Sequence, residues 1–369
     1  MNDITKTPTV DDLVEATPAT RERVVDFTRV LSIAVVVLWH WVFSITQWDK
    51  GRLVMPNLIS HVRGLWLATW VLQIMPAFFI VGGYANLASW DRIVRQRGGA
   101  REFWQQRLRR LLRPALAMMA IWAVVDLALV AVGGLNDNVL RWGIVTFVPL
   151  WFLGAYSVVV LAVPITARLH HRYGVVVPIV MVMGMAVAGN GYVTTALVWL
   201  FAHQLGYFWR DGRITHRGTR RARVVASRLL IAGVSSLVLL TTLGGYPDSM
   251  VATTGGGGSN MFPTSICIAA LAVLQLGLLL LARPYLDRWL KRRRVWRLVV
   301  AANGISMTLF CWHMTALIIV IGIFSFLGGQ LLHSPSALWW VERPFWLLAP
   351  GIVLAGLVWA FSRIERSRS

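Results

Sequence analysis

Apolar segments long enough to cross a lipid bilayer recur along almost the whole chain, and this pattern constrains the fold more than any other feature. A transmembrane helix needs about 17–25 predominantly apolar residues. Soluble proteins carry about 25% charged residues, whereas this chain has 14% charged and 57% hydrophobic residues. The sequence therefore predicts an all-α, polytopic integral membrane protein with about ten transmembrane helices and no large soluble domain. The ten predicted spans are residues 24–45, 65–88, 110–132, 142–166, 174–190, 192–209, 224–244, 262–282, 298–328 and 339–362.

The distribution of basic residues tests the number of spans independently. With the N-terminus inside, the inner segments and tails hold thirty Lys and Arg residues, and the outer segments hold five. This asymmetry follows the positive-inside rule, and an odd number of spans would destroy it. The sequence thus predicts a multi-pass protein of the cell membrane with both termini in the cytoplasm. The same asymmetry explains the formal net charge of +20 without a nucleic acid partner.

The predicted helices form one domain between two short tails. Residues 1–22 are polar and lack the apolar core of a secretion signal, which predicts a disordered cytoplasmic N-terminal tail. Residues 23–362 form the predicted ten-helix transmembrane domain, and residues 363–369 form a short basic cytoplasmic C-terminal tail. Cys267 and Cys311 lie in apolar runs without the spacing of a zinc site, so we expect neither a disulfide nor a metal site.

A few polar side chains lie inside the predicted spans, where a titratable group costs several kcal/mol and is a functional candidate. Arg29 and His40 lie eleven residues apart in the first span. A helix places them on one face, about 16 Å apart along its axis. Counting residues from the inner end of each span puts Asp126 and His313 at the same depth as His40. Gln73 lies at a similar depth.

A second basic cluster enters the third span from the same side as Arg29. Each polar residue also has a structural interpretation: a histidine can bond between helices, and Arg29 or Asp126 can extend to the membrane surface. The combination favours a site instead, because arginine binds phosphate through two parallel hydrogen bonds. Converging arginines therefore predict a site for a phosphorylated ligand. The cluster reads "RLRRLLRP" and contains Arg107, Arg109, Arg110 and Arg113.

Five motifs occur in the order expected of one family of polytopic membrane enzymes. They are "VVDFTRVLSIAVVVLWHW" at 24–41, "MPAFFIVGGYANLASW" at 75–90, "FWQQRLRRLLRP" at 103–114, "LWFLGAYSVVV" at 150–160 and "SMTLFCWHM" at 306–314. Through them the sequence resembles acyltransferase family 3, whose members acylate carbohydrates and other hydroxyl compounds. The first span of that family carries an arginine and a histidine with ten residues between them. Arg29 and His40 match that spacing.

Two features depart from the pattern of that family. Gly82 stands where the second span usually has the serine of a Ser-Gly pair. Tyr156 lies where many relatives have a glutamate a few residues after the tryptophan of the fourth span. Any role that depends on this glutamate is therefore not expected here.

The resemblance implies an O-acyltransferase that takes an acyl group, acetyl as the expected case, from cytoplasmic acyl-CoA. Phosphates held by Arg29 and the second arginine cluster would direct the pantetheine arm toward His40. This histidine would act as general base or become transiently acylated. Asp126 could orient it as in a catalytic triad, and His313 or Gln73 could donate to the oxyanion. Acyl-CoA, with acetyl-CoA expected, is then a co-substrate, and no bound cofactor is expected.

The expected acceptor is a hydroxyl group of a cell-envelope carbohydrate or glycolipid, because the depth of His40 favours the outer side. The alternative acceptor is a cytoplasmic secondary metabolite such as a macrolide sugar. A non-enzymatic transporter of a lipid or an acyl group is the alternative of another class, although no inverted repeat is visible. The expected partners are acyl-CoA, the hydroxyl acceptor and the lipid bilayer, and the sequence does not predict the oligomeric state.

Overall fold

The fold consists almost entirely of α-helices. The computed structural model describes residues 9–49, 52–133, 145–215, 219–251 and 259–366. Within these ranges the strands β1 (Gln47–Asp49) and β2 (Arg52–Val54) form a small antiparallel hairpin. The α-helices are α1 (Val10–Glu15), α2 (Arg23–Val42), α3 (Trp66–Leu72), α4 (Met75–Arg95), α5 (Ala100–Gly133), α6 (Leu150–Tyr173), α7 (Val176–Ala188), α8 (Tyr192–Arg210), α9 (Thr219–Thr242), α10 (Ile266–Leu290), α11 (Arg293–Asn303), α12 (Ser306–Phe326), α13 (Ala337–Val341) and α14 (Arg343–Arg366).

Eight helical segments in the described ranges are long and apolar enough to cross a membrane. This confirms the prediction of a polytopic, all-α membrane protein. The fifth and sixth predicted spans, now α7 and α8, are helical but are not among the eight, since α7 has only 13 residues and the mean hydropathy of α8 is too low. Since α7 and α8 are consecutive, they would cross the membrane and return. Every later helix therefore runs in the same direction whether or not these two cross. The eight segments are Arg23–Val42, Trp66–Arg95, Ala100–Val132, Val145–Tyr173, Arg220–Thr242, Ile266–Leu290, Ser306–Phe326 and Ala337–Glu365.

Helix α8 lies inside the bundle, where it contacts α4, α6, α7 and α10. Its closest approach is to α4 and depends on one glycine from each helix. A Cβ atom at Gly83 would meet the backbone oxygen of His203, and one at Gly206 would meet the backbone oxygen of Ile80. Small residues let membrane helices pack this closely. The result is that polar residues of α4 and α8 meet in the interior.

Helices α2 and α14 bring both ends of the transmembrane domain to the same end of the bundle. Glu22, just before α2, pairs with Arg283 near the end of α10 at 2.7 Å. Near the end of α14, Glu365 accepts hydrogen bonds from the backbone amides of Met307 and Thr308 at the start of α12. We call this end the N-terminal face and the other end the opposite face. Helix α14 continues into the predicted C-terminal tail as far as Arg366, and residues 367–369 lie outside the described ranges.

Residues 9–22, predicted to belong to a disordered tail, are ordered and include helix α1. This helix begins with a capping box between Thr9 and Asp12. It packs against α11, where Arg293 pairs with Glu15 at 2.9 Å. The expected disorder does not hold for this segment, because its acidic residues find basic partners far along the chain. Residues 1–8 of the predicted tail lie outside the described ranges.

Candidate active site

Two of the predicted site residues, His40 and His313, are in direct contact. Their ring centroids lie 5.2 Å apart, and Nδ1 of His40 is 3.3 Å from Nε2 of His313. His313 is completely buried, whereas His40 is partly exposed. The indole N–H of Trp41 donates to the backbone carbonyl of His313 at 3.1 Å. This bond joins α2 to α12 at the level of the two histidines.

Two backbone carbonyls determine where the protons of this pair lie. Nδ1 of His313 is 2.6 Å from the carbonyl oxygen of Phe310, and Nδ1 of His40 is 2.8 Å from that of Val36. A carbonyl oxygen only accepts, so we assign a proton to Nδ1 of each neutral ring. Nε2 of His313 then accepts from Nδ1–H of His40. Nε2 of His40 is left with a lone pair and no proton, and it is the basic atom of the pair.

The same assignment changes the role expected of His313. From its place in the sequence, His313 was expected to donate a hydrogen bond to an oxyanion. Its Nδ1–H is already bonded to the Phe310 carbonyl, and its Nε2 is an acceptor. His313 therefore orients the His40 ring and leaves no N–H for an oxyanion.

Asp126 is not the partner of His40. The ring nitrogen that it was expected to bind contacts Val36 and His313 instead. Asp126 lies one turn beyond Trp122, whose indole N–H donates to helix α12 at 2.9 Å. Its own Oδ1 is buried without a hydrogen-bond partner. Equal depth in the membrane did not produce contact, because the direction of a side chain around its helix also matters.

Gln73 forms hydrogen bonds at the break between helices α3 and α4. Its side-chain amide donates to the carbonyl of Met250 at 3.2 Å. Its backbone carbonyl accepts from Gln275 at 2.8 Å, and the side-chain oxygen of Gln275 accepts from the amide of Ala77 at 2.9 Å. Backbone groups freed inside a membrane protein need such partners. The role expected of Gln73 at the oxyanion therefore has no support in the structure.

Arg29 lies at the N-terminal face, with only long contacts to its guanidinium. Its Nη1 is 3.5 Å from the side-chain oxygens of both Asp26 and Asn303. Asp26 is buried and is held more tightly by Arg21, at 2.6 and 2.8 Å. This hydrogen bond raises the pKa of Arg21 above its usual value, although burial opposes the change. Since Arg21 engages the carboxylate, Arg29 can exchange its contacts for those of an anionic ligand.

The four arginines of the second cluster do not all lie on one face of α5. Arg107 and Arg110 lie within electrostatic range of Arg29. Arg107 donates to a backbone carbonyl of α4 at 2.6 Å, and its Nε is buried without a partner. Arg109, Arg110 and Arg113 are exposed, and about 100° of rotation per residue turns Arg109 to another face of α5 than Arg107. The structure thus brings two of the four predicted arginines to Arg29.

A buried polar group beside Arg107 was not assigned to the site from the sequence. The side-chain amide of Asn86 lies 3.2 Å from the hydroxyl of Tyr156 and 3.0 Å from Nε2 of His203. All three side chains are buried, and His203 is within electrostatic range of Arg107. The sequence signal for this group is that Asn86 and His203 are polar residues in otherwise apolar spans. Which of them meet depends on how α4, α6 and α8 pack.

A small cavity lies toward the opposite face from the histidine pair, and its lining includes Trp41, which follows His40, and Leu317, one turn after His313. Its volume is about 10 Å³, which is about the space of one water molecule. Arg343 lies in its wall, stacked 3.7 Å from the ring centroid of Trp339, and donates to the carbonyl of the same residue at 3.0 Å. Three indoles and one guanidinium therefore line this space together with three leucines. The lining residues are Trp41, Thr46, Leu317, Leu331, Leu332, Trp339, Arg343 and Trp346.

Comparison with known proteins identifies the family. A family model described as an acyltransferase domain matches residues 23–362, which is nearly the whole chain. The chain belongs to acyltransferase family 3. It is accordingly a multi-pass membrane acyltransferase, and the resemblance seen in the five motifs is confirmed. No curated protein and no solved structure matches the chain.

The two departures from the pattern of acyltransferase family 3 are neighbours in space. A Cβ atom built at Gly82 would meet the hydroxyl oxygen and ring carbons of Tyr156. The Tyr156 side chain therefore occupies the space that a serine at position 82 would need. Its hydroxyl also accepts a hydrogen bond from Asn86 at 3.2 Å. A tyrosine in the fourth span and a glycine in the second span are thus compatible with each other by packing.

Proposed function

We propose that this member of acyltransferase family 3 is an O-acyltransferase that transfers an acyl group, acetyl as the expected case, from acyl-CoA to a hydroxyl group. The observation that carries the proposal is that α2 contacts the end of α11 at one level and α12 at another. Arg29 contacts Asn303 at one level, and His40 contacts His313 at the other. Helix α2 is continuous between Arg29 and His40, a rise of about 16 Å. A molecule with phosphates at one end and a thioester at the other suits this separation.

Donor binding is assigned to the cations of the N-terminal face. Arg29, Arg107 and Arg110 are close enough to influence one another, and three neighbouring guanidinium groups favour a ligand with several negative charges. The diphosphate of CoA is such a group, and it accepts bidentate hydrogen bonds from arginine. The unpartnered Nε of Arg107 supports this assignment, since a buried donor without a partner is costly. The pantetheine arm would then extend along α2 toward His40.

The chemical step is assigned to Nε2 of His40. This atom takes the proton of the acceptor hydroxyl while the hydroxyl oxygen attacks the carbonyl carbon of the thioester. The tetrahedral intermediate collapses, the carbon–sulfur bond breaks, and the proton passes from His40 to the leaving sulfur to give CoA. His313 keeps Nδ1 of His40 in place during both proton transfers, as the orienting residue of a triad does. The acyl ester and free CoA are the products.

The acceptor is proposed to be a carbohydrate or glycolipid of the cell envelope that approaches from the opposite face. The indoles of Trp41, Trp339 and Trp346 and the guanidinium of Arg343 support this direction, because they lie together on that side of the two histidines. The orientation that goes with this proposal has both termini in the cytoplasm, in keeping with the basic residues of the N-terminal face.

The first test is CoA release by the purified protein with acetyl-CoA and an extract of envelope carbohydrates and lipids. We expect His40→Ala to lower the acceptor-dependent rate by about 10²–10⁴-fold. His333→Ala is the matched control, because His333 is an exposed histidine bonded to Gln47. Full activity of His40→Ala would refute the catalytic assignment. A transporter would release no CoA with any acceptor.

The second test identifies the acceptor. Mass spectrometry of envelope lipids and polysaccharides, with and without the gene, should show a mass difference of one acyl group in a carbohydrate or glycolipid. A difference confined to a soluble cytoplasmic metabolite would instead support the alternative acceptor class. The same comparison defines the acyl chain length.

A further inference from the structure

A second and larger opening lies at the N-terminal face, outside the site that α2 forms with α11 and α12. It is a cleft of about 430 Å³ between the end of α4, the start of α5 and the end of α6. The volume is within the range of ligand sites, about 300–1,000 Å³. The residues that matter for its chemistry are Trp90, Asp91, Arg95, Gly99, Arg168 and His171.

Helical spacing brings the charged residues of this cleft together. Asp91 and Arg95 are four residues apart on α4, and Arg168 and His171 are three apart on α6, so each pair shares a face. Asp91 is engaged by His171 at 3.2 Å. Within the described part of the chain, no carboxylate pairs with Arg95 or Arg168. Two guanidinium groups from different helices therefore line one cleft, and the carboxylate of Asp91 in the same cleft contacts His171.

The cleft adjoins the cations proposed to hold the diphosphate. Arg92 follows Asp91 on α4, donates to Gln106 at 3.4 Å, and lies within electrostatic range of Arg107. The cleft also has one aromatic wall, because Trp90 is buried and packs edge-on against Phe103 with centroids 5.8 Å apart. A cavity with an indole wall and two unpaired arginines suits a phosphorylated nucleoside.

We propose that this cleft binds the nucleotide end of the acyl-CoA, with Arg95 and Arg168 contacting the 3′-phosphate of its ribose. The proposal rests on the proposed function, since it assigns a second part of the same donor. Arg29, Arg107 and Arg110 hold the diphosphate, and the cleft holds the phosphate monoester and the base. The protein thereby distinguishes CoA thioesters from acyl carriers that have the pantetheine arm but lack the nucleotide.

The test compares CoA with dephospho-CoA, which lacks only the 3′-phosphate. Binding is measured calorimetrically with the full-length protein in nanodiscs of a zwitterionic lipid. Charge-assisted hydrogen bonds at a partly exposed site should give CoA about a tenfold preference. In the Arg95→Gln/Arg168→Gln variant the preference should fall below about twofold, while the affinity for dephospho-CoA stays unchanged. Arg172→Gln is the matched control, because this exposed arginine of α6 does not line the cleft.

Each other result contradicts one specific assignment. A wild-type protein that binds neither ligand would overturn the proposed function itself. A tenfold preference retained in the double variant would overturn the cleft assignment and leave the proposed function standing. Equal loss of affinity for both ligands would mean that the two arginines do not contact the 3′-phosphate. The double variant and the wild-type protein are also compared in anionic nanodiscs that contain phosphatidylglycerol. If the variant retains less of this lipid while its preference for CoA is intact, the cleft is a lipid headgroup site.

Discussion

Nδ1 of His40 and Nε2 of His313 lie 3.3 Å apart although 273 residues separate them in the chain. Each ring also places its Nδ1 against a backbone carbonyl of its own helix. The pair is therefore held by two helices at once, and only Nε2 of His40 remains free to accept a proton. A fixed position for that one lone pair is what general base catalysis requires.

Replacing His313 tests whether it orients His40. In His313→Ala the Val36 carbonyl still holds Nδ1–H of His40, so we expect a loss of about 10–100-fold in kcat, smaller than for His40→Ala. KM for the acyl-CoA should not change, because His313 lies at the other level from Arg29. His313→Gln can supply an oxygen acceptor and should recover part of the rate. Equal losses in His313→Ala and His40→Ala would argue for a direct chemical role of His313.

The divided arginine cluster predicts different effects for neighbouring residues of one motif. Arg110→Ala should raise KM for the acyl-CoA about tenfold and leave kcat at saturation nearly unchanged, because the contact is made equally in the ground and transition states. Arg109→Ala, the matched control, should change neither parameter more than about twofold. Similar effects of both substitutions would mean that the cluster acts only through its overall charge.

Arg29 should not be replaceable by lysine. Arg29→Lys keeps the charge but loses the planar fork that pairs with phosphate, so KM for the acyl-CoA should rise nearly as much as in Arg29→Ala. Steady-state kinetics with acetyl-CoA measures this effect. An unchanged KM in Arg29→Lys would indicate that position 29 needs only a positive charge, as a membrane anchor does.

Gly82 and Tyr156 should be coupled in stability. Gly82→Ala inserts a Cβ atom into the space of the Tyr156 ring, which should cost about 1–3 kcal/mol of unfolding free energy. Tyr156→Leu removes the ring atoms that the Cβ would meet, so the double variant should recover most of that cost. Thermal unfolding in detergent completes the double-mutant cycle. Additive effects would mean that the two positions do not share this space.

Glu365 should stabilise the helix that carries His313. Its carboxylate accepts hydrogen bonds from the backbone amides of Met307 and Thr308 and from the Thr308 hydroxyl, at 2.7–3.1 Å. Glu365→Ala should cost about 1–2 kcal/mol in thermal unfolding, as the loss of a helix cap does. Glu365→Gln should lose less, because an amide oxygen still accepts. Arg363→Ala, an exposed neighbour on α14, is the control and should have little effect.

Hydropathy alone does not identify every helix of this bundle, and α8 is the example. Mean hydropathy identifies helices that are apolar along their whole length, and eight segments of this chain satisfy it. Helix α8 is enclosed by other helices and carries His203 and Gln204, which lower its hydropathy although its length is 19 residues. A helix surrounded by protein does not need an apolar surface on every side. The contribution of α8 to the site therefore depends on how it packs against the other helices, which the sequence does not show.

The sequence by itself determined the all-α membrane fold, the family and the helical step from Arg29 to His40, because hydropathy and helical period are local properties of the chain. Only the tertiary structure decided that His40 meets His313 rather than Asp126. It also brought Arg107 and Arg110 within electrostatic range of Arg29. The physical reason is that contacts between helices depend on rotation about each axis and on close approach at small residues such as Gly83 and Gly206. Neither property can be read from one segment alone.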